Sequence, residues 1–193
     1  MPRTRLVERD QHLSLRDDGR LRLAAVADTH SAPHRNLHAQ LRELKPDAIL
    51  HGGDIGDLAV LDGLAQIAPV LAVRGNIDGR APGLPDLLTL ALGPEQAPVV
   101  RILLTHIALN GTKLRADVAE RARSGRASLV VCGHSHIPFI GVERRLVVFN
   151  PGSAGPRRFR LPILFGAIEI APTGIEVSHI DCETGRPWTP PHR

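Results

Sequence analysis

Residues 21–30 read LRLAAVADTH, an apolar run that stops abruptly on Asp28-Thr29-His30. The same form recurs: Ala48-Ile49-Leu50 runs into His51-Gly52-Gly53-Asp54, and Pro69–Val73 runs into Arg74-Gly75-Asn76. Short apolar runs bounded by turn residues are the mark of strands buried on both faces. Between the first two, Pro33–Leu44 places Leu37, Leu41 and Leu44 at helical spacing, and Pro46 closes that helix. Leu58–Ile67 is helical in the same way. Strand, polar loop and helix thus alternate, which predicts a parallel α/β layer with right-handed crossovers. The polar residues fall just past the strand ends, where open α/β sheets bind ligands.

The second half continues differently. Val99–Leu104 leads into Thr105-His106, a helix is expected from Leu114 to Arg123, and Leu129–Val131 leads into Cys132-Gly133-His134-Ser135-His136. Phe139–Val142, Leu146–Phe149, Pro162–Ile170 and Gly174–Ile180 read as further strands, expected to build a second sheet through hairpins. Residues 1–20 are polar and read as an N-terminal extension, with a short hairpin across Arg5–Arg16. Residues 21–182 form the domain, and the proline-rich residues 183–193 read as a loose tail.

Composition narrows the function. The 193 residues are 42% hydrophobic and 23% charged, which provides ample core and excludes general disorder. No apolar run approaches the roughly 20 residues that span a bilayer, and no secretory h-region is visible. Cys132 and Cys182 are the only cysteines, so a disulfide framework is excluded and a cytoplasmic location is expected. The net charge is +4, and lysine occurs only at Lys45 and Lys113, so arginine dominates the basic residues. Anionic partners are mildly favoured. Aromatics make up 3% with no tyrosine, too few for a base-stacking platform, which argues against sequence-specific nucleic-acid binding. A homo-oligomer is compatible with the sequence.

The strand ends carry Asp28 and His30, then Asp54, then Asn76 and Asp78, then His106, then His134 and His136. Carboxylate, amide oxygen and neutral imidazole form the ligand set of divalent Mn, Fe, Zn, Ni or Co, with no thiolate to suggest a structural zinc knot. Asp28 and His30 are two residues apart, as are His134 and His136, so each pair shares a face on extended backbone. Any one of these residues alone would read as a helix cap or a packed core histidine. Together they exceed what one ion takes, and two ions joined by a carboxylate fit better.

DTH, GGD, GNxD, an isolated histidine after a strand, and GHSH, in that order, resemble the calcineurin-like metallophosphoesterases. The length and Asn150-Pro151-Gly152-Ser153 are similar to the small YfcE-type phosphodiesterases. The resemblance implies a four-layer α-β-β-α sandwich of two mixed β-sheets flanked by helices. It implies two divalent cations, manganese foremost: Asp28, His30 and His136 would hold the first, Asn76, His106 and His134 the second, and Asp54 would bridge them. It implies hydrolysis of a small phosphoester, a phosphodiester in particular, by direct attack of a metal-bridging hydroxide. Asn76 would orient the phosphate, and Asp78 would orient a ligand.

Many members of that superfamily place a histidine after the asparagine as general acid. Ile77 stands there in this chain and cannot donate a proton. A preference for good leaving groups follows, with a metal-bound water or His34 as a substitute donor for poor ones. Arg157, Arg158 and Arg160 offer guanidinium forks for a phosphate, or else a solvated basic loop. Arg74 lies near the cluster. Asp57 reads as the cap of the following helix. His51 reads as a supporting residue, Cys132 as buried filler, His38 as part of its helix face, and His12, His179 and His192 as exposed. The competing function is a VPS29-like interaction scaffold with an altered metal site, which the full complement of ligand residue types disfavours.

Overall fold

Along the central strands, apolar residues alternate between two cores, and that alternation builds the layers. The computed structural model describes residues 6–190 other than 80 and 82. Its elements are β1 (Glu8–Leu13), β2 (Leu21–Val26), α1 (Leu37–Leu44), β3 (Ala48–His51), α2 (Ala59–Ala65), β4 (Val70–Ala72), β5 (Leu87–Leu92) and β6 (Val100–Thr105). They continue with β7 (Leu109–Asn110), β8 (Lys113–Leu114), α3 (Ala116–Ser124), β9 (Leu129–Val131), β10 (Phe139–Glu143), β11 (Leu146–Asn150), β12 (Leu164–Ala171), β13 (Gly174–Asp181) and β14 (Pro187–Trp188). Two six-stranded mixed sheets result, ordered β1-β5-β6-β9-β11-β10 and β14-β13-β12-β2-β3-β4.

Side chains on a strand point alternately to opposite faces. Leu21, Leu23 and Ala25 of β2, with Ala48 and Leu50 of β3, therefore face the other sheet and meet Leu88, Leu90, Ile102, Leu104, Leu129 and Val131. The residues between them, Ala24, Val26 and Ile49, turn the other way and pack against Leu37 and Leu41 of α1 and Val60 and Leu64 of α2. In the second sheet Leu87, Leu103 and Val130 turn outward onto Val118 and Ala122 of α3. The four layers expected from the family resemblance are thus present: helices, sheet, sheet, helix.

β2, β3 and β4 pair in parallel, as the strand–helix alternation predicts. The later strands depart from expectation. β12 and β13 do not join the second sheet; β12 pairs antiparallel with β2, so the chain returns to the first sheet. Leu164–Ala171 is buried along most of its length, and it needs a neighbour that is apolar on both sides, which β2 supplies. β5 went unrecognised, because a leucine-rich run with no polar residue at its end carries no distinctive strand signal.

Glu8–Leu13 forms no hairpin; it pairs in parallel with β5 at the sheet edge. Its side chains are mostly exposed, so backbone pairing holds it, reinforced by His12 Nε2 donating to Gly93 O at 2.5 Å. Arg5, the other end of the expected hairpin, lies outside the described residues. In the tail, Pro187–Trp188 pairs with His179 and Ile180 of β13. Among the described residues, no helix is long and apolar enough to cross a membrane.

Phe149 sits fully buried between the sheets, its ring against Gly166, where a Cβ would come within 2.4 Å of it. Phe149→Ala should lower unfolding free energy by about 3–5 kcal/mol in urea denaturation, the usual range for a deleted core aromatic. A loss below about 1 kcal/mol would show that this inter-sheet core is not closely packed.

Candidate metal centre

The C-terminal ends of β2, β3 and β4 in one sheet and of β6 and β9 in the other meet at one edge of the sandwich. Backbone bonds tie them together: Asp28 N donates to Gly53 O at 3.0 Å, His30 N to Asp54 O at 3.0 Å, and Gly133 N to His106 O at 3.0 Å. His134 N donates to Asp28 Oδ1 at 3.1 Å, which links the two sheets directly. Asp28, His30, Asp54, His106 and His136 converge there. Ligand atoms of Asp28, His30 and His136 lie within 4.8 Å of one another, as do those of Asp28, Asp54 and His106.

Five residues of this edge are held in the left-handed region: Asp28 (φ 55°), His30 (46°), Asp54 (53°), His134 (72°) and His136 (58°). Each such non-glycine conformation costs about 1–3 kcal/mol and persists only where surrounding contacts impose it. The cross-loop hydrogen bonds impose it here. The glycines between them allow close approach. A Cβ on Gly75 would stand 2.2 Å from Asp54 Oδ1, and one on Gly53 would stand 2.8 Å from His106 Nδ1.

The proton arrangement follows from the partners. His106 Nδ1 lies 2.7 Å from Gly52 O, a carbonyl that only accepts, so Nδ1 carries the hydrogen. Nε2 is left with a lone pair, and it faces Asp54 Oδ1 at 3.3 Å. Asp54 Oδ2 faces His30 Nε2 at 3.7 Å, so the two carboxylate oxygens address different histidines. His30 Nε2 and His136 Nε2 are 3.2 Å apart, and His136 Nε2 is 3.7 Å from Asp28 Oδ1. Two ligand atoms each about 2.1 Å from one ion and roughly 90–110° apart are separated by about 3.0–3.4 Å. The closer of these spacings match.

Among the described residues, the buried side-chain polar atoms without a hydrogen-bond partner are Asp28 Oδ2, His106 Nε2 and His136 Nδ1. All three belong to this cluster. Burial holds the imidazoles of His30, His106 and His136 below their usual pKa, that of His136 down to about 4. Neutral imidazole is the form that binds metal. Burial pushes the Asp28 carboxyl up to about 8, against the pull of the His134 amide, and the nearby Asp54 charge adds to the rise. Lone pairs facing lone pairs beside a desolvated carboxylate fit divalent cations.

Supporting residues complete the picture. His51 is fully buried. Gly53 N donates to its Nδ1 at 3.2 Å, and its Nε2 donates to Thr29 Oγ1 at 3.1 Å, while that hydroxyl donates to Ile55 O. Burial drives its pKa down to about 3, so it links the DTH and GGD loops as a neutral ring. Asp78 is buried, with Oδ1 accepting from Ile55 N and Gly56 N at 2.9 Å and Oδ2 from Gly75 N at 2.6 Å. It is therefore a positioning residue that staples the loops around Asp54, not a group aimed at a reactant. Asp57 Oδ1 accepts from Ala59 N at 2.9 Å at the start of α2, whose N-cap position is Leu58.

Two expected ligands sit at the rim. The His134 ring is exposed and lies 5.2 Å from that of His106. Asn76 is exposed and lines, with His106, a cleft of about 290 Å³. Its neighbours hold Asp54: Ile77 N donates to Asp54 Oδ1 at 3.1 Å. Arg74 turns away into a two-point pair with Asp86 at 2.6 and 2.8 Å. His34 Nδ1 accepts from Asn36 N, within its own turn.

His179 is a correction: it is buried, not exposed, and Nε2 donates to Asn150 O at 2.8 Å. Asn150 in turn donates through Nδ2 to Gly133 O at 2.7 Å and to Ser135 Oγ at 3.1 Å, which anchors the GHSH loop. This support was missed. The alternation of β13, which sets Val177 and His179 on one face, is the signal that could have found it. His192 lies outside the described residues.

The sequence profile of the calcineurin-like phosphoesterase superfamily domain matches residues 21–172. A probable metallophosphoesterase of Bacillus subtilis, YsnB, is 31% identical over 137 residues, covering 70% of this chain and 76% of its own. Among solved structures, Vacuolar Protein Sorting 29 from Cryptosporidium parvum superposes with TM-score 0.69 at 18% identity, over 89% of this chain and 96% of that one. The YfcE phosphoesterase of E. coli superposes with TM-score 0.61 at 18% identity, over 88% and 97%.

A cation must displace the Asp28 proton. Below pH 3.8 the neutral carboxyl contributes fully to the metal-free fold, and that contribution is lost as pH rises through about 8. Titrating the metal-free protein with Mn²⁺ at pH 7 should therefore release about one proton, falling toward none at pH 9. Calorimetry in buffers of different ionisation enthalpy measures this; a heat independent of buffer at pH 7 would contradict it.

Proposed function

The chain belongs to the calcineurin-like phosphoesterase superfamily, and we propose that it hydrolyses small phosphodiesters with two divalent cations held between Asp28, His30, Asp54, Asn76, His106, His134 and His136. The observation that carries this reading is the Asp54 carboxylate, with one oxygen toward His30 and the other toward His106, beside two donor groups that share Asp28. Asp28, His30 and His136 would serve one ion, Asn76, His106 and His134 the other, and Asp54 both. Such a pair lowers the pKa of water and offsets charge on the phosphoryl group. Manganese, a cytoplasmic location and a small phosphoester substrate belong to the same proposal. The unpaired Cys132 and Cys182 and the modest cleft beside Asn76 support the last two.

The protein's own residues orient and neutralise. Gly52 O holds the His106 hydrogen on Nδ1 and keeps Nε2 available. Asp78 fixes the loop that presents Asn76, whose amide N–H is suited to a phosphate oxygen. Ile77, next in the chain, is half-exposed and offers the departing oxygen no proton.

Two measurements test this. Asp54→Asn should lose at least about 10²-fold in turnover of bis-p-nitrophenyl phosphate, with reduced bound metal, a larger loss than an outer partner's removal gives. Wild type that retains no metal and hydrolyses no phosphoester would favour the scaffold alternative. Across aryl diesters, rate should fall steeply as leaving-group pKa rises, since a general acid worth about 10²–10⁴-fold is lacking. A flat series would reveal another proton donor.

A further inference from the structure

A cavity of about 440 Å³ lies away from the metal centre, at the opposite end of β9, between the end of α3 and the turn that joins β10 to β11. Pockets that bury a small ligand run from about 300 to 1,000 Å³. Its wall is apolar where Leu114, Ala122 and Leu146 line it, and Arg123, Arg126, Arg144 and Arg145 stand around that wall. None of the seven expected metal ligands lines it. Arg123 is engaged by Glu120. Arg126, Arg144 and Arg145 are exposed and, among the described residues, make no ion pair or side-chain hydrogen bond; Glu143 is the one carboxylate beside them.

The backbone beneath these arginines is held against its preference. Arg144 (φ 49°) and Arg145 (φ 72°) are the central residues of a two-residue hairpin in which Glu143 pairs with Leu146. Positive φ at both positions makes it a type I′ turn, which Asn-Gly adopts at least cost. Arg126 (φ 52°) ends α3: Ala127 N donates to Ala122 O at 2.8 Å and Arg126 N to Arg123 O at 3.1 Å. This is a Schellman ending, whose left-handed position glycine normally fills. Gly125 stands one position too early to fill it, with φ −77°. Both turns that face the cavity therefore hold arginine in a conformation unfavourable to a residue with a Cβ. Of the eight other left-handed non-glycine residues described, five belong to the metal centre. Strain of this kind collects where side chains must be presented, not where a turn need only close.

We propose that this cavity binds a small organic anion that carries two or more acidic groups on an apolar body. The guanidiniums of Arg126, Arg144 and Arg145 fork the acidic oxygens, whether of phosphate, sulfonate or carboxylate, and the leucine and alanine wall covers the body. Three free guanidiniums against the single carboxylate of Glu143 leave an excess of positive charge, which an anion relieves and a neutral or cationic ligand does not. This binding is independent of the phosphoesterase chemistry at the far end of β9.

Fluorescence anisotropy of methoxypyrene trisulfonate, an apolar body with three anionic groups, tests it on the full chain with and without Mn²⁺. Wild type should bind one equivalent, equally in both conditions. The double variant Arg144→Asn/Arg145→Gly should weaken binding about 10–100-fold, the effect of lost charge-assisted hydrogen bonds. The same variant should raise the melting temperature by about 2–6 °C, because it relieves the turn. Arg126→Gly should move both readouts in the same directions. Removing two exposed arginines elsewhere, with Arg35→Ala/Arg42→Ala, should leave the probe's affinity within about twofold of wild type. No binding by wild type below about 1 mM would overturn the proposal. So would equal binding by the turn variants, binding that requires Mn²⁺, an equal loss in the Arg35/Arg42 variant, or a lower melting temperature in both turn variants.

Discussion

Atoms that ordinarily repel are held facing one another at one edge of this protein. His106 Nε2 and Asp54 Oδ1 are both acceptors, 3.3 Å apart, and His106 cannot turn its hydrogen inward because Gly52 O holds it on Nδ1. His30 and His136 bring ring nitrogens to 3.2 Å, beside a fully buried Asp28. Positive charge between these groups would turn the arrangement from repulsive to favourable. The left-handed backbones of Asp28, His30, Asp54, His134 and His136, the close glycines and the buried Asp78 staple all maintain that confrontation. They are the local cost of a site organised before any cation arrives.

The sandwich makes this possible by bringing strand ends from two sheets to one edge. Neither sheet alone supplies the set. β2, β3 and the loop after β4 contribute Asp28, His30, Asp54 and Asn76, while β6 and β9 lead to His106, His134 and His136. The inter-sheet core of leucine, valine and Phe149 therefore fixes distances within the cluster, because it sets how the two halves register. The bond from His134 N to Asp28 Oδ1 is the point where that registration reaches the site.

Much of this was legible in the sequence because apolar runs ended abruptly on carboxylates and imidazoles. Asp28, His30, Asp54, His106 and His136 converge as that pattern suggested. What stayed hidden depends on partners distant in sequence. The return of β12 to β2 is a choice between two apolar faces that no local pattern distinguishes. β1 is held by backbone pairing, to which its polar side chains give no clue. His179 read as surface because a single histidine near the end of the chain carries no sign of the Asn150 carbonyl it meets. Of the three arginines after the Asn150 turn, Arg157 is the one that Glu183 engages, a partner 26 residues away that the local sequence does not announce.

In the proposed centre the Asp54 carboxylate joins two neighbouring cations. Anomalous diffraction at the manganese edge, from crystals grown with Mn²⁺, addresses it most directly. Two peaks about 3.5–4 Å apart, one beside His30 and His136, the other beside His106, with Asp54 between them, are the predicted result. A single peak, or none within reach of Asp54, would contradict it.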